Sequence, residues 1–161
     1  MSDDVLKAIL AEVKKLAEAA SRMAGPAPEP ILWDAADCFV WAPEWQNLTP
    51  VKKVNRVDLA LIRGVDHVKA ILHENTDRFA QGFAANNVLL WGARGMGKSS
   101  LVKAVHAAIN EARGTAMKLV EVHREDIKTL PVLMDILKSA DFRVILFCDD
   151  LSFDNDDTSY K

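Results

Sequence analysis

Hydrophobic positions along the chain change period several times, and each change marks an element. Leu6, Ile9, Val13, Leu16 and Ala20 step by three and four, while Lys7, Glu12, Lys14, Lys15 and Glu18 lie mainly off that stripe. Residues 4–20 are therefore predicted to form an amphipathic helix. Gly25, Pro26, Pro28 and Pro30 end it and predict an extended linker. The stripe is expected to pack on the domain that follows, with a partner helix as the alternative occupant. A second helix is predicted over residues 65–79, where Val65, Val68, Leu72 and Phe79 share one side. After breaks at Gly82 and Asn86-Asn87, the run Val88-Leu89-Leu90-Trp91 reads as a short buried strand. A third helix begins near Lys98, with Leu101, Val102, Val105, Ala108 and Ile109 inward and Gly114 at its C-terminal end. Residues 117–122 read as a strand. Leu130, Leu133, Met134, Ile136 and Leu137 mark a fourth helix, with Thr129 as N-cap and Pro131 in its first turn. Finally Val144-Ile145-Leu146-Phe147-Cys148 reads as a strand buried on both faces. Strands alternating with helices predict an α/β fold, a parallel sheet flanked by helices.

Between the first two helices lies an aromatic-rich stretch, residues 31–45, with Trp33, Phe39, Trp41 and Trp45. Stacking on nucleic-acid bases would need a basic groove, and the neighbours are Asp34, Asp37 and Glu44. Packing against the domain or a protein partner explains the aromatics better. The organisation read from sequence is thus an N-terminal helix with a Pro/Trp-rich segment over residues 1–45, then an α/β domain over residues 46–161.

Composition narrows the setting. At 161 residues, 50% hydrophobic and 27% charged, the chain suits one globular domain with an appendage. A net charge of −3 supplies no electrostatic pull toward nucleic acid. No apolar stretch has transmembrane length and the N-terminus is charged, so no membrane association is expected. Two cysteines, Cys38 and Cys148, make no disulfide framework, so the cytoplasm is the expected compartment. His67, His73, His106 and His123 show no metal-ligand spacing with them.

The chemistry concentrates at Gly92-Ala93-Arg94-Gly95-Met96-Gly97-Lys98-Ser99-Ser100. Gly92, Gly97, Lys98 and Ser99 satisfy G-x-x-x-x-G-K-[ST], the phosphate-binding P-loop. Glycines let the chain curl so that successive backbone N–H groups point at a phosphate. The following helix offers its positive end to the same anion. Lys98 is the residue to reach the β- and γ-phosphates, and the Ser99 hydroxyl is a Mg²⁺ ligand. The second half of the site is Asp149-Asp150, directly after the last predicted strand. There Asp149 is expected to hold Mg²⁺, and Asp150 to orient and deprotonate the attacking water. Asp154, Asp156 and Asp157 read as solvated surface, since a calcium loop's ligand spacing and glycine are missing.

From about Leu59 to Lys161 the chain resembles the AAA-plus ATPases, and more narrowly the bacterial family called domain of unknown function 815. The resemblance rests on the stretch from Asn86 to Ser100, on Val120-Glu121-Val122-His123-Arg124-Glu125-Asp126, and on Leu146-Phe147-Cys148-Asp149-Asp150-Leu151-Ser152-Phe153. It implies an ATPase using ATP and Mg²⁺, a homo-oligomer when full length, and an unidentified protein partner or substrate. The doubled aspartate departs from AAA-plus proteins at large, which place glutamate second, but is usual in the narrow family. Leu61-Ile62-Arg63-Gly64 matches the segment that AAA-plus proteins lay along adenine, which implies apolar contacts from Leu61 and Ile62. A sensor strand, arginine finger and helical lid have no counterpart here, so the chain is expected to be the N-terminal part of a longer protein, weakly active or inactive alone. In that architecture the sensor strand lies between the P-loop strand and the strand ending in Asp149. The alternatives are a non-catalytic, nucleotide-dependent interaction module and a P-loop phosphotransferase.

Overall fold

The computed structural model describes residues 3–24, 30–114, 117–149 and 151. The chain divides into two compact units, residues 1–30 and 31–161. The first is one helix, α1 (Asp3–Ala24). It begins and continues as the period of three and four requires, and Lys15 pairs with Glu12 across one turn at 2.9 Å. The prolines expected to form a linker, Pro26 and Pro28, lie outside the described residues.

The second unit is built on a four-stranded sheet in the order β2-β1-β3-β4. Strands β1 (Cys38–Ala42) and β2 (Asn47–Pro50) form an antiparallel pair, joined by a 3₁₀ turn at Pro43–Trp45 and by Gln46 in the left-handed region. Strands β3 (Lys118–Val122) and β4 (Val144–Cys148) then add in parallel, β3 against β1 and β4 against β3. Parallel strands need crossovers, and helices supply them: α2 (Asp66–Ala80) and α3 (Lys98–Arg113) before β3, and α4 (Leu130–Leu137) before β4. The result is an α/β fold with a mostly parallel sheet flanked by helices, as the element pattern predicts.

Alternation along the strands sorts the core into two layers. On one face Phe39, Trp41, Val120 and Val122 pack with Leu133 of α4. On the other, Leu101, Val105 and Ile109 of α3 pack with Leu72 of α2 and Met117. The aromatic stretch therefore supplies sheet and core: Phe39 and Trp41 are fully buried, and Trp33 meets Phe39 edge to face at 5.4 Å. Trp41 donates its indole N–H to Thr129 Oγ1 at 2.7 Å, and that hydroxyl donates to the Asp126 carbonyl at 2.6 Å. Thr129 precedes α4 as expected but does not cap it with its side chain, because its hydroxyl is committed to these two partners.

One expected element takes another form. Residues 88–91 carry no regular secondary structure and are not a strand of the sheet. An apolar run predicts a strand only if a ladder partner lies beside it. Among the described residues none does, and Val88, Leu89 and Trp91 are exposed, Trp91 at 88%. Leu90 alone turns inward, against the α3 layer. β4 is correspondingly an edge, paired with β3 and, among the described residues, with no strand on its other side. No helix among the described residues is long and apolar enough to cross a membrane.

Candidate functional site

The loop after Trp91 is shaped by glycine. Gly92, Gly95 and Gly97 have φ values of 143°, 80° and 78°, a region that L side chains avoid. A Cβ built on any of the three would meet nothing within 4 Å. Glycine is needed here for the backbone angle, not for close packing. Gly97 is the N-cap of α3, and its carbonyl accepts from Leu101 N at 2.9 Å. The first N–H groups of α3 thus face the loop, with the positive end of the helix dipole behind them. Lys98 curls back so that Nζ donates to the carbonyls of Gly92 and Ala93, each at 2.9 Å. Its ammonium sits within the turn and draws the loop's two ends together.

Asp149 reaches the same place from the sheet. It follows β4, whose register on β3 carries Cys148 level with Val122. Ser99, in the first turn of α3, donates its hydroxyl to Asp149 Oδ2 at 2.7 Å. Residues fifty apart in sequence are so joined by one bond. Burial, with the neighbouring Asp149 charge, pushes the Cys148 thiol above its ordinary value. That keeps the group beside the carboxylate neutral.

Gly92, Arg94, Lys98 and Asp149 form the polar end of a cleft of about 670 Å³. It is lined further by residues 85–91, by β4 and by Leu72, Phe79 and Val102. A hydroxyl and a carboxylate in contact are hard oxygen donors. They suit Mg²⁺, which takes one or two protein oxygens and completes its shell with phosphate and water. No group of three or more His, Cys, Asp or Glu side chains gathers among the described residues, so a metal here would share its shell with a ligand.

The structure brings Gly92–Ser100 and Asp149 together. It places Leu61 and Ile62 elsewhere: Leu61 is 68% exposed at the end of a 3₁₀ turn, Ile62 packs on the α3 layer, and neither lines the cleft. Asp150, expected as the base, lies outside the described residues, as do Asp154, Asp156 and Asp157. Two features near the site escape a motif search. Lys103 of α3 pairs with Glu121 of β3 at 2.8 Å and lies 6.0 Å from the Phe147 ring centre, so it braces α3 against the two strands. Their signal is charge on an otherwise buried face, visible only once the register is known.

Comparison with known proteins adds the family. Neither the curated proteins nor the solved structures yield a match. A family profile described as protein of unknown function (DUF815) matches residues 34–161. With the match covering most of the chain, and the whole sheet within it, the protein belongs to that family.

Proposed function

We propose that the chain binds ATP with Mg²⁺ and forms the nucleotide-binding part of an ATPase. The observation that carries this reading is the Ser99–Asp149 hydrogen bond, which unites the glycine loop with the carboxylate at the end of β4. Neither half is diagnostic alone, but their meeting is what a phosphate-and-metal site requires.

In this reading the backbone N–H groups of residues 93–99 cradle the phosphates. Lys98 exchanges its two carbonyl contacts for the β- and γ-phosphate oxygens, where its charge opposes the negative charge that develops in transfer. Ser99 and Asp149 would hold Mg²⁺, which would supply Lewis acidity to a bound phosphate. Asp150 accepts the proton of the attacking water and orients it in line with the γ-phosphorus.

Calorimetry and phosphate release test the reading. Mg-ATP is expected to bind, Lys98→Ala to weaken binding at least about tenfold, and Ser99→Ala to remove its dependence on Mg²⁺. Asp150→Asn is expected to keep binding and abolish turnover. Binding with no phosphate release from the wild-type chain would favour the nucleotide-dependent interaction module instead. Absence of any nucleotide binding by folded protein would overturn both.

A further inference from the structure

The ion pair between Lys103 and Glu121 lies one helical turn from the phosphate loop, and its placement matches the site. Ser99 and Lys103 are four residues apart on α3 and so share one face of the helix. On the sheet, Glu121 and Phe147 are lateral neighbours in the register of β3 on β4. Asp149 follows Phe147 by two residues, a spacing that returns to the same side of an extended chain. α3 is therefore joined to this end of the sheet by two rungs. Ser99 donates to Asp149 at 2.7 Å, and Lys103 reaches Glu121 at 2.8 Å with its ammonium 6.0 Å from the Phe147 ring centre. The rungs are evenly spaced, since four helical residues rise about 6 Å and two extended residues about 6.6 Å.

We infer that Lys103 is a positioning residue: its pairing with Glu121 sets α3 along the sheet so that the Ser99 hydroxyl and the Asp149 carboxylate meet as a Mg²⁺-binding pair. The role toward Mg²⁺ rests on the nucleotide reading, whereas the positioning rests on geometry alone. Leu101, Val105 and Ile109 hold α3 by apolar contact, which is non-directional and sets the depth of the helix more than its position along its axis. A charged hydrogen-bonded pair is directional. Both side chains are only 22% exposed, so solvent screens this pair less than it does a surface pair. Mg²⁺ tolerates little displacement, because it asks for near-ideal octahedral geometry at about 2.0–2.1 Å. A slip of α3 by a fraction of a turn would part the two protein oxygens.

Two measurements on the full chain test the role of Lys103, and the first needs no nucleotide. Urea denaturation of Ser99→Ala, Asp149→Ala and the double variant gives the coupling between the two side chains. Coupling is expected in the otherwise native chain. It is expected to vanish when Lys103→Met is added, which removes the charge and keeps an unbranched stem. Glu121→Gln, acting from the sheet, is expected to do the same, and Lys103→Arg to preserve the coupling. The second measurement is calorimetry with ATP, in Mg²⁺ and in EDTA. Lys103→Met is expected to lower the affinity gained from Mg²⁺ about tenfold, as loss of a group that orients metal ligands does. Metal-free ATP binding is expected to keep its wild-type value, because the glycine loop and Lys98 are untouched. Coupling that is absent from the native chain, or that persists without Lys103, would overturn the inference. So would a Lys103→Met chain with wild-type Mg²⁺ dependence. Equal losses with and without Mg²⁺ would make the pair a general support of the fold, and would equally overturn it. A folded chain that binds no ATP would overturn the nucleotide reading instead, while the coupling would still uphold or overturn the positioning.

Discussion

His106 shows how much one buried group can decide. It is fully buried on α3, and its Nε2 stands 2.7 Å from the Met117 carbonyl. A carbonyl only accepts, so Nε2 carries the proton and Nδ1 is bare, 4.0 Å from the Cys38 sulfur. Burial holds the ring below its ordinary pKa of 6.5, with the Met117 bond and Asp37 opposing. The folded ring stays neutral while the unfolded one gains a proton as pH falls through 6.5. Stability from this group is therefore complete above that value and declines below it, until pH passes beneath the folded pKa. Melting temperature is expected to fall between about pH 7.5 and pH 5.5. In His106→Gln the melting temperature should be lower at neutral pH and flatter over the same interval. At the loop, Gly97 carries the comparable constraint in its backbone. Gly97→Ala forces a β-carbon into the left-handed region, at about 1–2 kcal/mol, and should lower both thermal stability and nucleotide affinity.

Among elements, the docking of α2 on α3 is fastened by one ion pair. Arg113 donates from both Nε and Nη2 to the two oxygens of Asp77, the second bond at 2.6 Å. The bidentate bond holds the Asp77 carboxyl below its usual range and raises Arg113. Because the folded pKa of Asp77 is the lower one, the stabilisation is present above the unfolded carboxylate value and vanishes as acid protonates the folded group. Arg113→Gln should thus lower the melting temperature at pH 7 and converge with wild type in strong acid.

The elements also differ in how openly the sequence declares them. α2, α3 and α4 were legible because a helix satisfies its own backbone, so its period alone predicts it. The loop from Gly92 to Ser99 was legible because its glycine spacing and Lys-Ser pair form a specific motif, and its bond to Asp149 was foreseeable from the pair of motifs. The hairpin of β1 and β2 was not. Cys38-Phe39-Val40-Trp41-Ala42 is rich in strand formers, but Pro43 and the surrounding acids disguised it as an aromatic linker. Residues 88–91 misled in the opposite direction. Their composition suits a strand, but a ladder depends on neighbours, which a local pattern does not encode.

At the scale of the molecule, β4 is the open edge of the sheet among the described residues. Its Val-Ile-Leu-Phe-Cys run holds no charge and no proline, and only Arg143 and Asp149 bracket it. A row of amide and carbonyl groups on such a strand is a template for further strands. Leu146, at the middle of β4 and partly exposed, is the place to interrupt it. Leu146→Lys is expected to reduce light scattering on heating.

The margin along β4 also constrains the geometry of the candidate site. The five residues that deliver the Asp149 carboxylate to the loop are the same five that form the open edge of the sheet. Mutations that make this rim safer must therefore spare the end of the strand, and solubility and the Ser99–Asp149 contact are set here by neighbouring atoms of one short ribbon.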